Sequence, residues 1–233
     1  MRIAVFFFLL LSMSPIHASA VDESTTPIAA GLERVDARTL RGPENFLRGY
    51  PAIVAPGMAN AVIEVPAGYV DKWEVKNEDG LLHWDLADGK PRRVAYLGYP
   101  ANYGMVPRTV LSKARGGDGD PLDVLVLGEA IPRGSVVPAR VIGLLEMHDR
   151  GELDVKLVAV RQETPLGDVR SIEELDRRFP GITRILEIWF SHYKGEGLTQ
   201  AKGFGDVARA LEMLTNASAD YEARAGEGTS RDD

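Results

Sequence analysis

From Ala61 onward, short apolar runs alternate with Gly, Pro and charged breaks, a spacing that suits β-strands better than long helices. Ala61-Val-Ile-Glu-Val-Pro66 predicts a strand, and Lys72-Trp-Glu-Val75, a turn at Asn77-Glu-Asp-Gly80 and Leu81-Leu-His-Trp84 predict a hairpin. Val124 to Leu127, Val136 to Glu146 and Asp154 to Val160 are further β-rich runs. Several short strands at this spacing predict a small barrel. The period then lengthens. Ser171 and Glu174 form a capping box for a short helix ending near Pro180. Thr183 to Tyr193 is helical in pattern with Ile185, Ile188 and Trp189 on one side, and Asp206 caps a third helix striped by Val207, Ala210, Leu211 and Leu214. The predicted class is α+β, mainly β, with a small barrel and flanking C-terminal helices.

The region before Ala61 reads differently. Arg2 followed by the apolar run Ile3 to Leu11 and the small-x-small pattern Ala18-Ser19-Ala20 predicts a cleaved export signal over 1–20. That run is too short to span a bilayer, which needs ~20 residues. The protein is therefore expected in the periplasm or secreted, with no membrane anchor once cleaved. Residues 21–60, with scattered Gly, Pro and charge, predict an extended arm, and 61–224 the barrel domain. A disordered tail is expected over 225–233.

Composition narrows the possible chemistry. The 233-residue chain has no cysteine, which excludes disulfides and Cys-based zinc sites. Its formal charge is −7, opposing nucleic-acid binding through net charge. An acidic protein acting on an anion needs bound cations to do so.

Three segments carry candidate chemistry. Gly117-Asp118-Gly119-Asp120-Pro121-Leu122-Asp123 sets three carboxylates at the mouth of an apolar strand. They would repel one another unless a hard cation sits among their oxygens, and all-oxygen ligation suits magnesium, manganese or calcium. A solvated acidic turn is the competing reading. An EF-hand is opposed by Asp123 standing where the loop needs glycine, and by Pro121. In the second segment, Asp149 to Val160, strand alternation puts Asp154 and Lys156 on one face, an arrangement that also fits an exposed cross-strand pair. The third, Ser191-His192-Tyr193-Lys194, ends a helix and is weak by itself. Tyr99 and Tyr103 lie four apart in a turn, by default core packing.

Together with Val62-Ile-Glu64-Val-Pro66, Lys72-Trp-Glu74 and Tyr99-Pro-Ala-Asn-Tyr103-Gly104, these segments resemble the soluble inorganic pyrophosphatases, which implies a small five-stranded OB-like barrel with flanking C-terminal helices. The resemblance runs from about Ala61 to Lys194. It implies Mg²⁺-dependent hydrolysis of pyrophosphate to two phosphates, with several Mg²⁺ ions and a metal-bridged hydroxide as nucleophile. It implies Asp118, Asp123 and Asp154 as ligands of the tightest metal, Asp123 bridging to a second. Asp149 and Asp154 would hold a substrate-borne metal, and Glu64 and Glu74 complete the acidic bowl. Asp120 matches the residue that takes a proton from the attacking water. Lys72, Tyr103, Lys156, Tyr193 and Lys194 match the phosphate-holding groups, and Tyr99 the pocket lining. A homo-oligomer is also expected. The chain departs from the pattern after Asp85, where Leu86 stands in place of a phosphate-binding arginine and the interval to Tyr99 is longer. Arg92 or Arg93 is expected to fill that role.

Two other function classes compete. A non-catalytic, calcium-binding secreted barrel module would need the acids but not Lys72, Lys156 and Lys194. An oligonucleotide-binding barrel would need a basic and aromatic face, which the acidic balance opposes.

Overall fold

The strand expected at Ala61 begins at Met58 and is buried along nearly its whole length, because it has packed structure on both faces. The structure, a computed structural model, describes residues 26–229. The expected export signal over 1–20 lies outside the described residues. In chain order the strands are β1 (Glu33–Asp36), β2 (Thr39–Arg41), β3 (Ile53–Ala55), β4 (Met58–Val65), β5 (Trp73–Val75), β6 (Leu82–Trp84) and β7 (Leu86–Ala87). There follow β8 (Lys90–Pro91), β9 (Asn102–Met105), β10 (Asp123–Leu127), β11 (Val136–Asp149), β12 (Glu152–Leu153), β13 (Lys156–Val160) and β14 (Thr199–Gly205). The helices are α1 (Ile172–Arg178), α2 (Ile182–His192) and α3 (Val207–Thr229).

Five strands close on themselves. β4 pairs with β9, β9 with β10, β10 with β13, β13 with β11, and β11 returns to β4. All these pairings are antiparallel except β10 with β13. The mainly-β fold with its five-strand ring and C-terminal helices is as expected. Alternation along the strands divides the core. Val124, Val126, Leu157 and Ala159 join Ala210, Leu214 and Ala217 of α3. Leu125, Leu127, Val158 and Val160 join Leu186, Trp189 and Phe190 of α2. The β5–β6 hairpin stacks Trp73 on Trp84 (centroids 5.4 Å apart) and packs with Val62 and Met105 of the ring.

Several boundaries and faces differ from expectation. β1, β2, β6 and β5 form a four-stranded sheet, and β3 pairs with β4, so much of 26–60 is built into the domain. Strands of three or four residues are too short to announce themselves by period. The expected boundary at 60/61 falls inside β4. The expected disordered tail from 225 is partly the end of α3, where Ala217, Ala219, Ala223 and Ala225 favour helix. On α2, Ile185 and Ile188 are exposed, and the buried face is Thr183, Leu186, Trp189 and Phe190. That face is set by the aromatic cluster it meets. Trp189 Nε1 donates to the Leu97 carbonyl at 2.9 Å, and its ring stacks on Tyr193 at 4.5 Å.

Candidate active site

The parallel pairing of β10 and β13 puts Asp123 directly opposite Lys156, at the starting ends of both strands. Asp154 lies just before β13, and Asp149 ends β11. Lys156 is 2% exposed, so it is no surface cross-strand partner. Its Nζ donates to Asp123 Oδ2 at 2.5 Å and to Asp154 Oδ1 at 2.6 Å. The Tyr103 hydroxyl, from β9, donates to the same Asp123 oxygen at 2.7 Å. Lys194, just beyond α2, donates to Asp149 Oδ2 at 2.5 Å. Lys72 and Glu74 come from the β5 side, 3.6 Å apart, with the Lys72 ammonium 4.4 Å over the Tyr103 ring.

These groups line a cavity of about 200 Å³ that also takes in Asp118, Asp120, Arg92 and Tyr193. An adjoining hollow of about 210 Å³ shares Lys72, Glu74, Tyr103, Asp120 and Asp123 and adds Glu64. The acidic string reaches the cavity because a 3₁₀ turn at Lys113–Arg115, capped by Ser112, folds the chain back before Gly117. Thus residues from all five ring strands, the hairpin, the acidic loop and the end of α2 meet at one mouth.

Two expected site residues lie elsewhere. Arg93 is 59% exposed in its side chain and pairs with Asp71 at 2.9 Å, away from the cavity. Tyr99 is buried behind Tyr103 and Tyr193, its ring 5.2 Å and 6.3 Å from theirs, and is not among the lining side chains. Arg92 does line the cavity, where it pairs with Asp85 at 2.8 Å. The β7–β8 hairpin between Asp85 and Arg92 accounts for the longer interval.

Burial and charge act against each other here. Burial disfavours the Lys156 ammonium, but Asp123 and Asp154 outweigh it and hold the group well above its ordinary range. Burial likewise opposes the Asp154 carboxylate, and Lys156 overcomes it, so its value falls. At Asp123 burial wins and the value rises despite Lys156. Burial, with Asp123 close by, keeps the Tyr103 phenol protonated well above its usual range. Glu64, 4% exposed, is pushed up to about 8 by burial, because Lys72 at 4.0 Å only partly offsets it.

The donor set suits a hard divalent cation. It is all oxygen, the acids outnumber Lys72, Arg92, Lys156 and Lys194, and Asp149 Oδ1 is buried with no hydrogen-bond partner among the described residues. As the side chains stand, no three acids among the described residues converge on one point. Lysine ammonium groups sit between the carboxylates instead, bonded to Asp123, Asp154 and Asp149.

The family model for inorganic pyrophosphatase matches residues 61–222, which hold every one of these groups. The chain belongs to the inorganic pyrophosphatase family. An inorganic pyrophosphatase of Saccharolobus solfataricus is 34% identical over 173 residues, covering 72% of this chain and 94% of that one. The Leifsonia xyli pyrophosphatase is 35% identical over 176 residues, with 71% and 96% covered. Among solved structures, the type I inorganic pyrophosphatase of Toxoplasma gondii is 28% identical with a TM-score of 0.74, covering 84% of this chain and 97% of that one.

Two residues beside the pyrophosphatase cavity escaped the sequence reading. Lys76 pairs with Glu74 and lies 3.8 Å from Asp85. It continues the alternation Lys72, Glu74, Lys76, and that signal could have found it. Asn77 donates to Asp120 at 2.8 Å across 43 residues, a contact no local pattern announces.

Proposed function

We propose that this pyrophosphatase works with Mg²⁺ held among Asp118, Asp123, Asp149, Asp154, Glu64 and Glu74, and that Asp120 takes the proton of the attacking water. As a member of its family the chain is an inorganic diphosphatase that hydrolyses inorganic pyrophosphate to two phosphates. The observation that carries the fuller reading is that Lys72, Lys156, Lys194 and Arg92 share one cavity with the acids. A calcium-binding module needs only the acids. Here a polyanion is to be held as well.

Bound Mg²⁺ supplies positive charge for the substrate and makes water more acidic near neutral pH. The chain's own groups do the rest. With Mg²⁺ held by Asp123, Asp154 and Asp149, Lys156 and Lys194, now bonded to those acids, would be free to turn to phosphate oxygens. Lys72 and Arg92 neutralise charge spreading toward the leaving phosphate. Tyr103 and Tyr193, whose phenols burial keeps protonated, donate hydrogen bonds and do not compete as anions. Asp120 orients the water and accepts its proton while one P–O bond forms and the bridging P–O bond breaks. Two phosphates leave.

The division of labour among the acids is tested by two variants. Asp120→Asn keeps the shape but cannot accept a proton, so kcat should fall roughly 10²-fold or more while Mg²⁺ affinity changes little. Asp123→Asn should weaken Mg²⁺ binding in calorimetry far more. Parallel loss of affinity and turnover in Asp120→Asn would make it a ligand, and the base would have to be sought elsewhere.

The reading also places the enzyme outside the cytoplasm, on the strength of the Ile3 to Leu11 run and Ala18-Ser19-Ala20. N-terminal sequencing of protein from its native cell should begin near Val21, and an intact Met1 would remove this part. Self-association belongs to the same reading, and sedimentation velocity measures it directly.

A further inference from the structure

An acid that takes a proton from water needs a fixed orientation and a free oxygen. The Asp120 backbone is held on both sides: its N–H donates to Asp118 Oδ1 at 2.9 Å, and its carbonyl accepts from Leu111 N–H at 2.8 Å. Its side chain is held from outside the acidic loop, where Asn77 Nδ2 donates to Asp120 Oδ1 at 2.8 Å. That leaves Oδ2 without a protein partner among the described residues.

Asn77 and Asp120 are both exposed, but the turn that carries Asn77 is well anchored. It sits in the β5–β6 turn, closed by Gly80 N–H to the Lys76 carbonyl at 2.8 Å and Lys76 N–H to the Leu81 carbonyl at 3.0 Å. The N-terminal segment clamps the same turn. Asn45 Nδ2 donates to the Asp79 carbonyl at 2.7 Å, and Phe46 N–H to the Gly80 carbonyl at 3.1 Å. Gly80 has φ +71°, and a Cβ there would lie 2.2 Å from Asn45 Oδ1, so the turn and the clamp fit only with glycine.

We propose that Asn77 is a positioning residue for pyrophosphate hydrolysis, orienting the Asp120 carboxylate so that Oδ2 faces the attacking water. An amide suits this role because it donates to the carboxylate, carries no charge and does not itself ionise. An aspartate in its place would repel Asp120 at hydrogen-bond distance. The inference rests on Asp120 acting on the water, so the experiment reads both residues together.

The full chain, with Mg²⁺ and pyrophosphate, would be compared as parent, Asn77→Ala, Asn77→Asp, Asp120→Asn and the Asn77→Ala/Asp120→Asn double variant. Melting temperatures would show that each variant is folded. Asn77→Ala should lower kcat about tenfold, with KM and Mg²⁺ affinity within about twofold of the parent. Asn77→Asp should lose at least as much. In the Asp120→Asn background the alanine should cost less than about twofold, because the group it positions is already disabled. Full, independent losses in the double variant would overturn the inference, as would parental kcat in Asn77→Ala beside an impaired Asp120→Asn. Parental turnover in Asp120→Asn would instead overturn the role of Asp120, and the inference with it.

Discussion

Arg92 and Arg93 are neighbours in the chain yet serve different partners, one at the cavity beside Asp85 and the other on Asp71 outside it. Sequence could offer both for the missing arginine but could not choose, because strand alternation alone does not say which face meets the substrate. Arg92→Ala should therefore raise KM or lower kcat by about tenfold or more, equal to ~1.4 kcal/mol. Arg93→Ala should stay within about twofold in steady-state kinetics, and the reverse pattern would exchange their roles. Glu64 offers a second test, in protein stripped of metal by a chelator. Its folded value of about 8 lies above the 4.5 of an exposed glutamate. Between those values the folded state keeps a proton that the unfolded state has released. Its contribution to stability is thus fully present below about 4.5 and is lost as pH rises through 8, at ~1.4 kcal/mol per pH unit. Glu64→Gln cannot ionise and still accepts the Val75 N–H that Glu64 accepts at 2.7 Å. Its metal-free melting temperature should match the parent near pH 5 and exceed it near pH 9. Parallel curves across that range would contradict the burial account.

Elements explain why the acidic string was legible and its surroundings less so. Asp118, Asp120 and Asp123 are close in sequence, so their shared destination shows in one short segment. Lys156 and Asp154 were visible as one face of a strand, but their burial depends on β10 lying alongside, which periodicity does not reveal. β1, β2 and β3 were too short to read, and the packed face of α2 was misplaced because Tyr99 and Leu97, remote in sequence, decide it. Gly104 is the tightest point of this arrangement. It faces Ile63 on β4 and Val124 on β10, and a Cβ there would lie 1.8 Å from the Val62 carbonyl oxygen. Backbone cannot yield as a flexible side chain can. Gly104→Ala should push β9 from β4, move Tyr103 off Asp123, and cost more than ~3 kcal/mol in denaturant unfolding. A variant with parental stability would show that the ring is looser than the pairing implies.

At the scale of the whole molecule, a closed five-strand ring gathers residues spread from Glu64 to Lys194 at one mouth. Alternating apolar runs point to a barrel, but the closure of β11 onto β4 comes from pairing across 74 (Val136 with Val62) to 82 (Arg140 with Met58) residues, where sequence pattern has no reach. The lysines that this closure brings in are what let so acidic a cavity stay folded. Lysines interleave the carboxylates, and the proposed Mg²⁺ and substrate would take over that neutralisation. The account therefore requires that chemistry and metal go together. The most direct test is phosphate release from pyrophosphate by the purified chain, with Mg²⁺, with Mg²⁺ plus excess chelator, and with Ca²⁺ added against Mg²⁺. Release should occur with Mg²⁺ and vanish in chelator. Ca²⁺, with bonds of about 2.3–2.6 Å against about 2.0–2.1 Å and looser geometry, should inhibit. Undiminished phosphate release in excess chelator would contradict the account at its centre.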